Sequence, residues 1–338
     1  IHGRGGNWRM MANWDPDVES PLRGDSALPS AAIEAHAGEH PHMHYDEEVA
    51  RKAEIYLAEP ARHEQPWALC ASLFTPHFPF VVREPYFSNY YPEHTKLPDL
   101  PEGDVEGLHP QNRRFRDFWL RGDLPEDEIL RSRGAYYGLV EFCDHQIGRI
   151  LDALEKHGLA DDTIVAYVSD HGEMLGEHGL WFKRSFYEQS SRVPMVVRWP
   201  GVVAAGGRYE RATSLIDLVA TMLDVAGADR RHTDGESLAP LLRGDEEDGE
   251  GLAIVEFEGA GTVTPARSIR RGRYKLNYYH GEPPELFDLE DDPREMSDLA
   301  ADPASAGIVQ ELTALVLDGW DPDAIEADVR HRQREIKI

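Results

Sequence analysis

Residues 163–172 read Thr-Ile-Val-Ala-Tyr-Val-Ser-Asp-His-Gly and indicate the fold class of the chain. Its first six residues are mostly β-branched or apolar, which favours a strand, and the strand ends at the polar residues Ser169-Asp170-His171-Gly172. Before it, apolar residues recur at three- and four-residue steps from Glu126 to His157 and predict a long amphipathic helix. A helix that leads directly into a buried strand is typical of an α/β sheet.

Two further apolar runs extend this pattern. Residues 67–73 and 194–199 are almost continuously apolar, which is typical of strands buried on both faces of a parallel sheet. Amphipathic helices are predicted over residues 47–59 and 214–226. We therefore expect an α/β fold with a mostly parallel sheet sandwiched by helices.

The chain changes character beyond an acidic, glycine-containing stretch near residue 246. Three short strands are predicted there, followed by a closing helix over residues 308–317. The strands are expected at residues 253–258, 266–269 and 274–278. We divide the chain into an α/β unit, residues 1–246, and a small C-terminal antiparallel-sheet subdomain with a closing helix, residues 247–338.

The charge balance excludes several kinds of partner. The chain has 62 acidic against 35 basic residues, a formal net charge of −27, so nucleic acid is not expected to bind. Any site for an anionic substrate must be locally positive. No apolar run approaches the ~18–20 residues of a membrane span. Two cysteines, Cys70 and Cys143, are expected to be buried apolar residues, since a disulfide framework needs more.

Ligand-capable residues follow two of the predicted strands. His77 comes after the run 67–73, and Asp170-His171 follow the strand 163–168. Ligands bind beyond the carboxyl ends of strands in open α/β sheets, so we expect these residues to converge. A carboxylate and an imidazole can share one divalent cation. The alternative is that Asp170 caps the following segment and His171 is merely exposed.

Lys183 and His77 are candidates for handling an anionic substrate. Lys183 follows two aromatic residues, which could bury its stem and present the ammonium to sulfate or phosphate; it could equally be a surface lysine. His77 lies in a proline-rich loop and could donate to a substrate oxygen or protonate a leaving group. His178 is a second substrate-binding candidate, with a packing role as the alternative.

Several histidines also cluster near the N-terminus and raise the question of a metal site. Their spacing matches no standard zinc pattern, and no cysteine accompanies them. We interpret the segment as a solvated loop. The residues are His36, His40, His42 and His44.

The run from Ser169 to Lys183 strongly resembles the second metal-binding block of the sulfatase family, within the alkaline phosphatase superfamily. Residues 75–79 resemble the substrate-histidine loop of that family, and residues 271–276 and 284–289 resemble its C-terminal sheet. The chain looks most similar to choline-sulfatase-like and phosphonate-monoester-hydrolase-like members, because His171 stands where many arylsulfatases carry Asn. The resemblance implies an alkaline-phosphatase-like fold.

The resemblance also implies roles for individual residues. Asp170 and His171 would ligate a divalent metal, calcium, or manganese if His171 tilts the site toward a softer ion. Lys183 would bridge the substrate oxyanion and the nucleophile, while His77 would contact the sulfate and assist the leaving group. The implied reaction is hydrolysis of small-molecule sulfate esters. A phosphonate monoester or phosphodiester hydrolase of the same fold is the enzymatic alternative.

One part of the family pattern is missing from this sequence. Sulfatases carry a Cys-x-Pro-x-Arg or Ser-x-Pro-x-Arg motif, whose Cys or Ser becomes formylglycine, the nucleophile; neither motif occurs here. Together with the start at Ile1, this predicts a chain without its N-terminal segment. A catalytically inactive sulfatase-like subunit is the second alternative. We expect a cytoplasmic location, with periplasmic or secreted locations and homo-oligomerisation left open.

Overall fold

The computed structural model describes residues 34–60, 64–101, 103–119, 123–229, 233–245, 249–258 and 262–336, so the start of the predicted unit 1–246 lies outside it. The strands are β1 Ala35–Ala37, β2 Phe80–Val82, β3 Val165–Val168, β4 Met195–Arg198, β5 Leu252–Phe257, β6 Ala266–Arg271, β7 Tyr274–Tyr279 and β8 Glu285–Asp288. The helices are α1 Pro41–Leu57, α2 Asp104–Gly107, α3 Pro110–Trp119, α4 Glu126–Lys156, α5 Glu188–Ser191, α6 Leu215–Val225, α7 Ala239–Arg243, α8 Ala306–Leu317 and α9 Pro322–Ile336. None of the helices within these ranges has both the length and the apolar character to cross a membrane.

Helix α4 packs at the centre of the main core and confirms the long helix predicted before residues 163–172. Its first turn carries three acidic residues and its last turn Lys156, both favourable to the helix dipole. Its buried face includes Leu139 and Phe142 and packs against β1, β2 and α1. A Cβ at Gly138 would lie 2.6 Å from the Tyr86 carbonyl oxygen, so glycine lets the proline-rich excursion after β2 pack directly on α4.

The strands around the site differ from the prediction in pairing and burial. β1 and β2 pair in parallel, whereas β3 and β4 pair antiparallel. Residues 67–73 form no strand and are largely exposed, Cys70 included, so the prediction of a buried strand there was wrong. Burial on both faces requires flanking strands and covering helices, and no strand in the described ranges pairs with this run. For the same reason Tyr167 and Val196 are 42% and 59% exposed.

The C-terminal strands form an antiparallel meander in the order β5-β6-β7-β8. Side chains of its buried face, among them Ile269 and Leu276, pack against Leu312 and Val316 of α8. The three predicted strands and the closing helix are confirmed, β8 coincides with residues 284–289, and α9 was not predicted. The boundary at residues 246 and 247 stays a prediction.

Candidate functional site

The segment after β3 is a tight turn held by its own polar groups. The Asp170 carboxylate accepts the His171 backbone N–H at 3.0 Å, and the Ser169 hydroxyl donates to the His171 carbonyl oxygen at 2.8 Å. The Gly172 N–H donates to the Ser190 carbonyl oxygen at 2.8 Å. These bonds fix the positions of Asp170 and His171 at the end of the strand.

The donor atoms of this turn suit a divalent metal ion. His171 Nδ1 donates to the Gly172 carbonyl oxygen at 2.8 Å, so Nε2 keeps its lone pair, the tautomer that metal-binding histidines use. Nε2 lies 3.8 Å from Asp170 Oδ2, and the Asp170 side chain is 85% exposed. No set of three or more His, Cys, Asp or Glu side chains in the described part of the chain is placed to hold a metal. Asp170 and His171 offer two donor atoms, fewer than a divalent cation takes.

Lys183 meets His77 although 106 positions separate them in the chain. Lys183 Nζ lies 2.5 Å from His77 Nε2, and His77 Nδ1 donates to the Phe78 carbonyl oxygen at 2.8 Å. The imidazole of His77 thus accepts a hydrogen bond from the ammonium. The rings of His77 and His171 are 5.7 Å apart, so the structure brings His77, Asp170, His171 and Lys183 to one place.

The electrostatics make this place positive in an acidic protein. Burial, and secondarily Arg184, lower the pKa of Lys183 to about 8, so its ammonium is charged at neutral pH. Burial and the neighbouring Lys183 lower the pKa of His77 to about 4, so its imidazole is neutral. Burial lowers the pKa of Arg184 to about 10. Lys183 and Arg184 are partly buried cations next to the Asp170 and Glu173 carboxylates, and they supply the local positive charge that an anionic substrate requires.

Glu173 shapes the loop that carries Lys183 and was not predicted as a site residue from the sequence. One carboxylate oxygen accepts the backbone N–H groups of Leu175 at 3.3 Å and Phe182 at 2.5 Å. Burial raises the pKa of Glu173 to about 7. The loop holds non-glycine residues at positive φ, Phe182 at 67° and Arg184 at 92°, a strain that clusters at functional sites. The one feature of the sequence that marks Glu173 is its position directly before two apolar residues.

Asp46 of α1 positions the loop of His77 and was also missed. Its buried carboxylate accepts the backbone N–H of Phe74 at 2.6 Å and that of Thr75 at 2.9 Å, and the Thr75 hydroxyl at 2.5 Å. These bonds fix the chain two residues before His77. Because the two partners lie about thirty residues apart in sequence, no local pattern predicts this contact.

The N-terminal histidines do not form the solvated loop that we predicted. His36 lies in β1, His40 is the N-cap of α1, and Pro41 begins the helix. The ring of His42 stacks on Phe74 at 4.2 Å and lies 6.3 Å from the ring of His77. Proline at the first helical position was the overlooked signal. His42 is therefore part of the surroundings of the site.

His178 is not brought to this group. Its ring is buried and stacks on Tyr187 at 3.9 Å. Its Nε2 donates to the Arg294 carbonyl oxygen at 3.0 Å, and its Nδ1 lies 3.4 Å from the Asp104 carboxylate. This corrects the interpretation of His178 as a substrate-binding residue, because both ring nitrogens are engaged in packing contacts, the alternative role that the sequence left open.

Comparison with known proteins places the chain in a family. A family model described as Sulfatase matches residues 7–228. The chain belongs to the sulfatase family. A second model, described as N-sulphoglucosamine sulphohydrolase, C-terminal, matches residues 176–319 and thus crosses the predicted boundary at 246.

Individual sulfatase relatives agree with this assignment. A choline-sulfatase of Rhizobium meliloti (strain 1021) is 34% identical over 309 residues, covering 86% of this chain and 59% of the relative. The multifunctional alkaline phosphatase superfamily protein PehA of Trinickia caryophylli is 32% identical over 280 residues, covering 74% of this chain and 54% of that protein. The chain thus spans somewhat more than half the length of these relatives.

The solved structures confirm the predicted fold class. The phosphonate monoester hydrolase of Agrobacterium radiobacter superposes with a TM-score of 0.70 at 29% identity, covering 87% of this chain and 64% of that one. A sulfatase structure from Bacteroides thetaiotaomicron gives a TM-score of 0.67 at 25% identity, covering 84% of this chain and 66% of that one. The α/β architecture is that of the alkaline-phosphatase-like sulfatases.

Gly172 offers a test of how tightly the sulfatase turn is packed. A Cβ there would lie 2.0 Å from the Gln189 carbonyl oxygen, so we expect Gly172→Ala to push the turn away from α5 and lower the free energy of unfolding by ~1–3 kcal/mol. Chemical denaturation measures this change. As a control, Gly148→Ala lies in α4 with open space around it and should be neutral or stabilising. Equal stability of the two variants would contradict the packing argument.

Proposed function

We propose that the protein carrying this chain hydrolyses sulfate esters of small alcohols with a divalent metal ion in the site. The observation that carries the proposal is the 2.5 Å contact between Lys183 Nζ and His77 Nε2, beside the ring of His171. A buried cation, two neutral imidazoles and an exposed carboxylate suit a tetrahedral oxyanion together with a metal. Membership of the sulfatase family supports the same reaction.

Lys183 binds a sulfate oxygen in this proposal. Its ammonium is a compact charge with several N–H donors, and a sulfate oxygen is a better acceptor for them than a neutral imidazole. In a buried site such a preorganised cation stabilises negative charge far more than it would in water. The cation is thus placed to stabilise the charge that develops on the sulfuryl oxygens.

His77 handles the leaving alcohol. Its pKa of about 4 keeps it neutral before substrate binds, and an anionic ester group beside the ring raises that pKa. Protonated on Nε2, the ring can donate to the bridging oxygen as the S–O bond breaks. The alcohol then leaves with its own oxygen, and water finally supplies the oxygen gained by the sulfate.

Asp170 and His171 would hold the metal through a carboxylate oxygen and Nε2, and the bound ion would polarise the sulfate group as a Lewis acid. Carboxylate ligation favours calcium, with manganese as the alternative because of the imidazole. We infer that the nucleophile is a formylglycine outside residues 1–338, because the motif that generates it does not occur in this sequence.

Similarity to phosphonate monoester hydrolases favours one second function, hydrolysis of phosphonate monoesters. The test compares kcat/KM for a sulfate ester and a phosphonate monoester of the same alcohol. We expect the sulfate ester to be preferred by ~10-fold or more, equal to about 1.4 kcal/mol of transition-state stabilisation. A phosphonate preference of that size would overturn the proposal. Turnover of neither ester by the complete enzyme would instead favour an inactive subunit.

A further inference from the structure

The C-terminal sheet carries one buried ammonium group that contacts α5. Lys275 of β7 has a side chain that is only 3% exposed, and its Nζ lies 3.0 Å from Glu188 and 2.8 Å from the fully buried Glu295. Burying one ammonium with two carboxylates is costly unless the geometry is good. Such an arrangement is therefore weak evidence for a stabilising role.

The cluster also holds the backbone of α5. The Glu295 carboxylate accepts the Glu188 backbone N–H at 2.6 Å, and Lys275 Nζ reaches the Ser191 hydroxyl at 3.4 Å. Glu295 itself adopts a φ of 58°, a strained conformation for a side chain of this size. Helix α5 is thus held by its first backbone N–H and by the side chains of Glu188 and Ser191.

Helix α5 contacts two parts of the candidate site, namely the turn of Asp170 and His171 and the segment that carries Lys183. The Ser190 carbonyl oxygen accepts the Gly172 N–H at 2.8 Å, directly after the metal-binding pair. The Ser190 hydroxyl accepts the Arg184 N–H at 3.2 Å, directly after Lys183. Ser190 therefore sets the distance between the turn of Asp170 and His171 and the segment of Lys183.

We propose that Lys275 is a positioning residue, which acts through Glu188 and Ser190 to set the spacing between the metal-binding turn and Lys183. The catalytic consequence rests on the proposed function, whereas the structural consequence does not. Displacements of about 1 Å in a reacting site can cost on the order of 10²-fold in rate. A small C-terminal sheet far along the chain thereby contributes to the geometry of the sulfate site.

Hydrogen exchange of the backbone amides tests the structural consequence without any turnover. Lys275→Met keeps the length of the side chain and removes the ammonium. Glu295 then loses the cation 2.8 Å from it, and Glu188 keeps only the Arg270 guanidinium 3.5 Å away. We expect exchange at the Gly172 and Arg184 amides to accelerate by ~10-fold or more, measured by mass spectrometry on fragments covering residues 170–184. Glu188→Gln, a milder change, should accelerate the same amides to a smaller degree.

Arg267→Met is the matched control. Arg267 lies in the same sheet and pairs with Glu256, and its guanidinium packs over Trp320, away from α5. Its loss should leave exchange at Gly172 and Arg184 unchanged. Unchanged exchange at both amides in Lys275→Met and Glu188→Gln would overturn the proposal, as would equal acceleration in Arg267→Met.

Turnover by the complete enzyme adds a readout that stability alone would not move. Lys275→Met should lower kcat for a sulfate ester by ~10-fold or more at a temperature where the variant is fully folded, while Arg267→Met keeps the rate. Accelerated exchange with no sulfate-ester turnover in the wild type would refute the proposed function and leave the positioning role supported.

Discussion

If Asp170 is a metal ligand as proposed, we expect Asp170→Ala to abolish binding of the divalent metal and to reduce turnover of a sulfate ester to background. Asp170 contributes the carboxylate of the turn after β3, and His171 Nε2 is the donor atom 3.8 Å from it. Loss of a carboxylate ligand would remove negative charge from the site and so weaken its hold on a divalent cation. The fold should survive, because the Asp170 side chain is mostly exposed and its hydrogen bond to the His171 N–H is local.

The metal content of the complete enzyme, determined by elemental analysis, checks this expectation together with the rate. Asp161→Ala provides the control, because that carboxylate is exposed and lies before β3, at the other end of the strand from Asp170. It should keep both metal and activity. Metal bound at the wild-type level in Asp170→Ala would show that the ion lies elsewhere.

Replacing Lys183 with alanine should lower the rate by on the order of 10²–10³-fold, as the loss of one oxyanion-stabilising donor does in other enzymes. The ammonium points at His77 and not at a carboxylate, so folding does not depend on a salt bridge of this residue. Its desolvation lowers its pKa, which means that burying the charge costs stability. The variant should be at least as stable as the wild type.

The pH profile separates Lys183 from its neighbours. Since the pKa of Lys183 is about 8, the ammonium is lost as the pH rises through that value, and the wild-type rate should fall there. The alkaline decline should be absent from the residual activity of Lys183→Ala. Near-normal turnover in that variant, or an unchanged decline, would contradict the role assigned to Lys183.

The residues close together in sequence were the ones that sequence could predict. Asp170, His171 and Lys183 lie within one short segment after a β-branched strand, where local pattern and family resemblance act together. His77 was recognisable from its prolines and from the same resemblance. Topology predicted that His77 meets Asp170 and His171, because strand ends share one edge of a sheet. They do meet, although the strand expected before His77, residues 67–73, does not form.

The buried charged residues could not be predicted in the same way. Asp46, Glu173 and Lys275 look like ordinary surface residues in sequence, because charged side chains are rarely buried. Their burial depends on partners that lie elsewhere in the chain, as in the pair of Lys275 with Glu188. Local pattern carries no information about such partners, so only the folded structure identifies them.

The two apolar runs led to the opposite error, because segments predicted to be buried are largely exposed. The composition of residues 67–73 and 194–199 indicates what these segments can bury, but it does not specify which neighbours cover them. In the described structure Leu69 and Val196 are largely uncovered. Pattern therefore predicted the elements near the site better than it predicted their surroundings.

The position of bond cleavage depends on the roles proposed for Lys183 and His77. If Lys183 holds the sulfate group and His77 protonates the bridging oxygen, the S–O bond breaks and the alcohol keeps its oxygen. Hydrolysis of a sulfate ester by the complete enzyme in ¹⁸O-labelled water, followed over many turnovers by mass spectrometry, should place the label in the released sulfate and none in the alcohol. Label in the alcohol would mean C–O cleavage and would contradict the account.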